Sequence, residues 1–134
     1  MTKSRKFRLA NNIALICSCV FLLGVFLFSH FYAGALKKDI THYVEQAEMQ
    51  VHLENWEQVR QSVDIIEQRF LPASDVLKLF YDHEDVDMLD TEISTAKQLA
   101  KVEEKAEIFL SLENIKSIAA YLAGIETFSI PNLF

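Results

Sequence analysis

Acidic side chains and one histidine crowd the stretch Asp82, His83, Glu84, Asp85 and Asp87, with Asp90 and Glu92 close behind. His83 and Asp87 are four residues apart, a spacing that puts two side chains on one helical face, as two ligands of a single metal ion would need. Two ligands do not make a site. Further donors would have to come from another helix, and Glu126, Glu48 and His52 are the candidates. A calcium loop of the EF-hand type is excluded, because it needs a glycine at its turn and no glycine lies between Gly34 and Gly124. A carboxylate-bridged di-iron bundle wants two Glu-x-x-His pairs, and the nearest approach is Asp39-Ile40-Thr41-His42. The simpler reading of His83 is a histidine on the inner stripe of a helix, satisfied in the core by a carboxylate. Glu126 is the expected partner if the helices carrying the two run antiparallel. The polar cluster Asp82, His83, Asp87 and Glu126 is therefore the candidate site, with no metal ligand and no cofactor assigned. The remaining acids read as a solvated face.

Catalysis has little to build on. Both cysteines, Cys17 and Cys19, fall in an apolar run, and no serine sits in a recognisable nucleophile motif. Trp56 lies on an apolar seam and reads as packing. No catalytic residue is expected, and the chain is read as a non-enzyme.

The element that must carry everything else is the apolar run from Leu9 to Leu36, behind Lys3, Arg5, Lys6 and Arg8. Ile13 to Leu36 alone is 24 residues, and a helix rising about 1.5 Å per residue crosses a ~30 Å hydrocarbon core in ~20. Basic residues flanking a span stay on the cytoplasmic side. The expected organisation is a cytoplasmic basic tail at residues 1–8, a transmembrane anchor at 9–36 in contact with the lipid bilayer, and an extracytoplasmic helical domain at 37–134. A cleaved signal peptide competes, with Ala33-Gly34-Ala35 as a cleavage site after Ala35. Against it, Ile13 to Phe28 is already 16 residues with Ser18 the only polar member, while a signal core is usually ~7 to 15.

Charge divides sharply. Residues 39–134 hold seven basic against 19 acidic residues, a net charge of −12. Such a domain repels phosphate backbones, which excludes nucleic acid as a partner. With no cysteine beyond the anchor, no disulfide can staple it.

One glycine and two prolines after residue 38 argue for long helices. Ile40, Tyr43, Val44, Ala47 and Val51 keep the spacing of one helical face, so the anchor is expected to continue as a helix to His52–Asn55. Asn55 then caps a second helix, whose seam Trp56, Val59, Val63, Ile66 and Phe70 alternates threes and fours as helix-on-helix packing does. Pro72 is expected to close it. Ser74 or Asp75 would cap a third helix carrying Val76, Leu79, Phe80, His83, Val86, Leu89, Ile93, Ala96 and Leu99, with the next reversal in Lys101–Lys105. A fourth follows from about Ala106 to Thr127. The tetratricopeptide register fails, since it places Arg60, Asp64 and Glu67 where small and aromatic residues belong. No strand pattern or repeat is present. The fold class is all-α: an N-terminal transmembrane helix continuing into an antiparallel up-down bundle of three to four helices.

These lengths predict an overhang. The first two exported helices would be ~22 to 24 Å long and the next two ~35 to 42 Å. Ile93, Ala96, Leu99, Ala106, Phe109 and Leu110 would then lack partners, to be covered by a second copy or another protein. A break near Asp90, folding the overhang back, is the alternative. The apolar tail Phe128, Ile130, Leu133 and Phe134 is expected to plug the base of the bundle.

Trp56 opening the second helix, the segment Phe80-Tyr81-Asp82-His83-Glu84-Asp85-Val86-Asp87, the later Leu-rich helix and the ending Glu126-Thr127-Phe128-Ser129-Ile130-Pro131-Asn132-Leu133-Phe134 together resemble a family of small bacterial membrane-anchored proteins, catalogued as domain of unknown function 4363. The resemblance covers nearly the whole chain, anchor included. Phe70 stands where the family often has a second tryptophan, and the ending is bulkier than the family's Asn-Ile-Leu-like form. What the resemblance implies is a helical exported domain on one anchor, without a known activity; it also draws attention to Asp82, His83, Asp87 and Glu126.

The expected role is an interaction or structural module at the cell surface, held in the membrane by residues 9–36, with a homo-oligomer or a membrane or extracytoplasmic protein as partner. The alternative is a ligand- or metal-sensing bundle using Asp82, His83 and Asp87, and an enzyme is the distant third. A sensor would need a membrane partner, because about eight cytoplasmic residues cannot hold a signalling module.

Overall fold

With no proline and no cluster of turn residues before Leu53, nothing interrupts helix α1, which runs from Lys3 to His52 over 50 residues, about 75 Å. The computed structural model describes residues 3–124, with side chains from Arg5 onward. Within α1 the surroundings change abruptly. Large apolar side chains from Phe7 to Phe28 face outward, whereas Ser29, Ala33, Ile40, Val44, Ala47 and Val51 are buried among the other helices. Only α1 among the described residues is long and apolar enough to cross a membrane, and 6% of its most apolar window is buried.

Asn55 caps helix α2, Trp56–Leu77, accepting a hydrogen bond from the Gln58 backbone N–H at 3.5 Å. Pro72 does not end this helix, contrary to the expectation from sequence; it lies inside it. The 3,4 rhythm of the seam runs on through Ala73 and Leu77, both buried, while Pro72 points outward. Burial of Phe70, Ala73 and Leu77 in one continuous stripe outweighs the backbone hydrogen bond that the proline ring removes. The third helix consequently begins later than expected. Neither Ser74 nor Asp75 caps it: Asp82 does, accepting from the Glu84 N–H at 2.9 Å, and α3 spans His83–Val102. Val76, Leu79 and Phe80 therefore do not belong to the stripe of α3, whose buried members are Val86, Leu89, Ile93, Ala96 and Ala100. Helix α4, Lys105–Gly124, buries Ile108, Ser111, Leu112, Ile115, Ala119 and Leu122.

The upper half of α1 and helices α2, α3 and α4 form an antiparallel four-helix bundle, each helix packing on two neighbours in the cyclic order α1, α2, α3, α4. At its base Ala33, Leu36, Ile40, Leu77, Leu89, Ala119 and Leu122 meet from all four helices. The distal turns face the other way. Each holds a glutamate in the left-handed region, Glu54 at φ 54° and Glu103 at φ 60°. Each of the two also reaches across, Glu54 to Lys105 at 3.1 Å and Glu103 to Arg60 at 3.4 Å.

Because α2 has 22 residues and α3 and α4 have 20 each, the helices match in length and the expected overhang does not exist. Ile93 and Ala96 are fully covered within the chain, Leu99 and Phe109 pack against the core, and of the group only Ala106 and Leu110 stand exposed. Helix α3 runs unbroken through Asp90, so the alternative of a break there does not hold either, and the α2–α3 reversal lies at residues 78–82 rather than between Pro72 and Asp75. The apolar tail expected to plug the base lies outside the described residues.

Candidate functional site

The acidic stretch is built on the turn that joins α2 to α3. Residues 78–81 close it by backbone bonds: Lys78 N–H donates to the Ser74 carbonyl, Leu79 to Val76, and both Phe80 and Tyr81 to Leu77, at 2.8–3.1 Å. Tyr81 is buried and carries the chain back under the core. Asp82 then turns its carboxylate onto the free Glu84 N–H in the first turn of α3, where the helix dipole favours negative charge, with Glu84 and Asp85 following in that turn.

His83 is not on the inner stripe. It is exposed, and its Nε2–H donates to the Lys78 carbonyl at 3.2 Å, spanning the turn it follows. That bond satisfies one of the carbonyls left open at the end of α2. Asp87 takes the other end of the same lysine: Lys78 Nζ lies 2.6 Å from its carboxylate, which holds the ammonium above its usual lysine range. Lys78 thus sits at the centre of a clasp made by His83 and Asp87, its backbone bound by the first and its side chain by the second, with the Asp82 cap of α3 beside it. Glu126 lies outside the described residues.

The donors proposed to complete a metal shell do not converge here. Glu48 and His52 belong to the distal half of α1; the His52 ring lies tilted against Phe109, with ring centroids 4.6 Å apart, and Glu48 pairs with Lys116 at 3.5 Å. Among the described residues no group of three or more His, Cys, Asp and Glu side chains gathers as metal ligands would. The chemistry of Asp82, His83 and Asp87 in this arrangement is hydrogen bonding and charge neutralisation around one turn.

A profile described as Domain of unknown function (DUF4363) matches residues 27–133. The chain belongs to this family. The match begins at Leu27, two residues before α1 enters the bundle at Ser29, so most of the apolar run lies outside it and the family is carried by the bundle. Neither the curated proteins nor the solved structures yield a match.

Sequence reasoning did not find the ion pairs that tie the helices together. Lys97 on α3 lies between Glu67 and Asp64 of α2, 3.3 Å from Asp64, and the two carboxylates raise its ammonium above the usual range, with Glu67 the stronger influence. Arg69 on α2 reaches Asp39 on α1 at 3.6 Å. On the α1–α4 face Lys116 sits 2.7 Å from Glu113 and 3.5 Å from Glu48. Burial and a hydrogen bond to Glu113 push the Glu48 carboxyl up, against the pull of Lys116, while Lys116 and the same hydrogen bond hold Glu113 down. Between α3 and α4 the bonds are neutral or single-charged: Ser111 Oγ donates to the Glu92 carbonyl at 3.3 Å and Asn114 to the Glu92 carboxylate at 3.4 Å. Lys97, thirty and thirty-three residues from its partners, has no local signal in the sequence; only the antiparallel register of α2 and α3 brings the three together.

Proposed function

We propose that this chain is a single-pass membrane protein, N-terminus in the cytoplasm, whose extracytoplasmic bundle works by contact with another protein rather than by catalysis. The observation that carries the reading is the unbroken helix α1, whose lower half turns large apolar side chains outward on every side while its upper half is one wall of a folded bundle. In water such a sheath would be an aggregation surface far beyond what soluble proteins tolerate; in lipid it is matched. The basic residues before the run and the acidic bundle after it support the orientation.

Contact is supported by where the polar groups stand. Asp82, His83, Asp87, Lys97 and Lys116 are engaged in holding turns and helices. Meanwhile Met49, Leu53, Val102 and Leu110 are exposed toward the end of the bundle farthest from the apolar run.

Alkaline carbonate washing of membranes from cells making the full chain tests the anchor: the protein stays in the pellet, and recovery in the supernatant without detergent would refute it. Orientation is tested with Cys17 and Cys19 replaced by alanine and Lys101→Cys added. An impermeant maleimide applied outside intact cells then labels the protein, and labelling only after lysis reverses the topology. In-membrane crosslinking from the distal face identifies the partner protein.

A further inference from the structure

We infer that the α2–α3 turn is a membrane-contacting tip: Leu79 and Phe80 enter the bilayer face that α1 leaves, so the bundle rests its base on lipid instead of standing on a stalk. The inference rests on the anchor reading above and deepens it.

Level comes first. The twenty residues from Leu9 to Phe28 rise about 30 Å, the thickness of the hydrocarbon core. Counted up from Leu9, the upper edge of lipid falls at Phe28, short of the end of the apolar run at Leu36 because Ser29 and Ala33 are already taken into the bundle. The Phe80 ring meets Phe28 edge-on with centroids 6.3 Å apart. Phe28 in turn stacks on Tyr32 at 5.7 Å, and Phe31 stands exposed beside them, so a cluster of phenylalanines ends in Tyr32, a residue type that collects at membrane interfaces.

Distance from lipid is then fixed by α1 itself. Ser29 and Ala33 are already buried in the bundle, so no linker separates the core from the apolar run, and a rigid helix leaves the base no room to lift away.

Exposure and chemistry agree. Leu79 is 77% exposed at the apex of the turn and Phe80 37%, between the buried Leu77 and Tyr81. Above this apolar apex stand polar groups: Lys78, bonded to His83 through its carbonyl and to Asp87 through its ammonium, and Asp82, which caps α3 at the Glu84 N–H. An apolar tip under a polar collar matches an interface whose depth runs from acyl chain to headgroup over ~5–10 Å. With Asp87 neutralised by Lys78, the collar presents no strong charge of one sign, and zwitterionic headgroups suffice as its surface. The clasp accordingly acquires a purpose: it holds the turn so that Leu79 and Phe80 point to the bilayer.

The chain has a single tryptophan, Trp56, at the other end of α2, whose 22 residues span about 33 Å. This allows depth to be read by fluorescence in proteoliposomes of phosphatidylcholine with brominated acyl chains. Full-length W56F chains carrying Leu79→Trp, Phe80→Trp or Leu22→Trp are compared with the native chain. Strong quenching of residue 22, and quenching of residues 79 and 80 several-fold above that of Trp56, is the expected result. Quenching at 22 with none at 79 and 80 overturns the tip and leaves the anchor standing. No quenching at 22 removes the anchor and the tip with it. Residue 79 accessible to aqueous iodide, or shielded from both iodide and bromine by a second copy or another protein, also overturns it. Should W56F fail to fold, Leu79→Trp beside native Trp56 serves, the additional quenched fraction reporting residue 79.

Discussion

Two stretches of one unbroken helix, residues 7–28 and 29–52 of α1, meet opposite surroundings. The first shows its apolar side chains on all sides to the outside; the second hides a stripe of Ala33, Ile40, Val44, Ala47 and Val51 and presents Lys37, Lys38, Glu45 and Met49 outward. Helix formation is the same in both, because main-chain hydrogen bonding is indifferent to what lies beyond the side chains. What differs is the solvent each pattern suits. An all-round apolar surface is at lowest free energy in hydrocarbon, and a stripe is at lowest free energy against other stripes in water. The pattern changes at Ser29, which under the proposed anchor is where one solvent gives way to the other.

The largest test of this contrast is a charge placed in each half. Val44→Asp puts an unpaired carboxylate at a fully buried position and should abolish cooperative unfolding of the bundle while leaving the chain in the membrane. Leu22→Asp should do the converse: the bundle stays folded, and membrane retention falls by roughly the ~2.5 to 3.5 kcal/mol that a mid-helix charge costs on insertion. Circular dichroism on melting and carbonate extraction read the two outcomes, and identical behaviour of the two variants would erase the contrast.

Truncation sharpens it at smaller scale. Leu89→Ala removes a fully buried side chain where α3 meets the base of the core and should lower stability by about 2 to 5 kcal/mol, as thermal unfolding in mild detergent would report. Leu22→Ala in the outward-facing stretch should leave that melting temperature unchanged. Asp82→Ala takes away the N-cap of α3; a loss of about 1 kcal/mol is expected, and Asp82→Asn should recover most of it.

The smallest effect is in pH. Folding raises the Glu48 pKa, chiefly by burial, so it favours the protonated acid. That contribution is complete below the ordinary carboxylate value and is lost as pH rises through the raised one. Glu113, lowered chiefly by Lys116, works oppositely: its contribution is present above the ordinary value and is lost as pH falls through the lowered one. Above the ordinary carboxylate value the Glu113 contribution is already complete and Glu48 is the one of the two still to titrate. The melting temperature is therefore expected to decline as pH rises through the raised Glu48 value, and Glu48→Gln should flatten that decline. An equal slope in both proteins would remove Glu48 as the source.

The recognisable parts were those written in local pattern. Asn55 at the head of a 3,4 seam marks the start of α2, the Lys101–Lys105 knot marks the α3–α4 reversal, and Ile40 to Val51 marks the bundle face of α1; all three stand in the structure. Pro72 misled because proline is a local signal, and the cue against it was the same seam continuing to Ala73 and Leu77. Moving that boundary by several residues turned the overhang into matched helices and moved His83 from an expected core stripe to an exposed turn.

Period and hydropathy in the chain suffice for four helices, an apolar run and their order, because helices answer to neighbours three and four residues away. Which carboxylates meet Lys78, Lys97 and Lys116, where the α2–α3 turn falls, and that its Leu79-Phe80 apex lies beside Phe28 depended on antiparallel packing. Lys97 with Asp64 and Glu67, and Lys116 with Glu48, join residues remote in the chain, and their energies exist only once the helices have taken their places against one another.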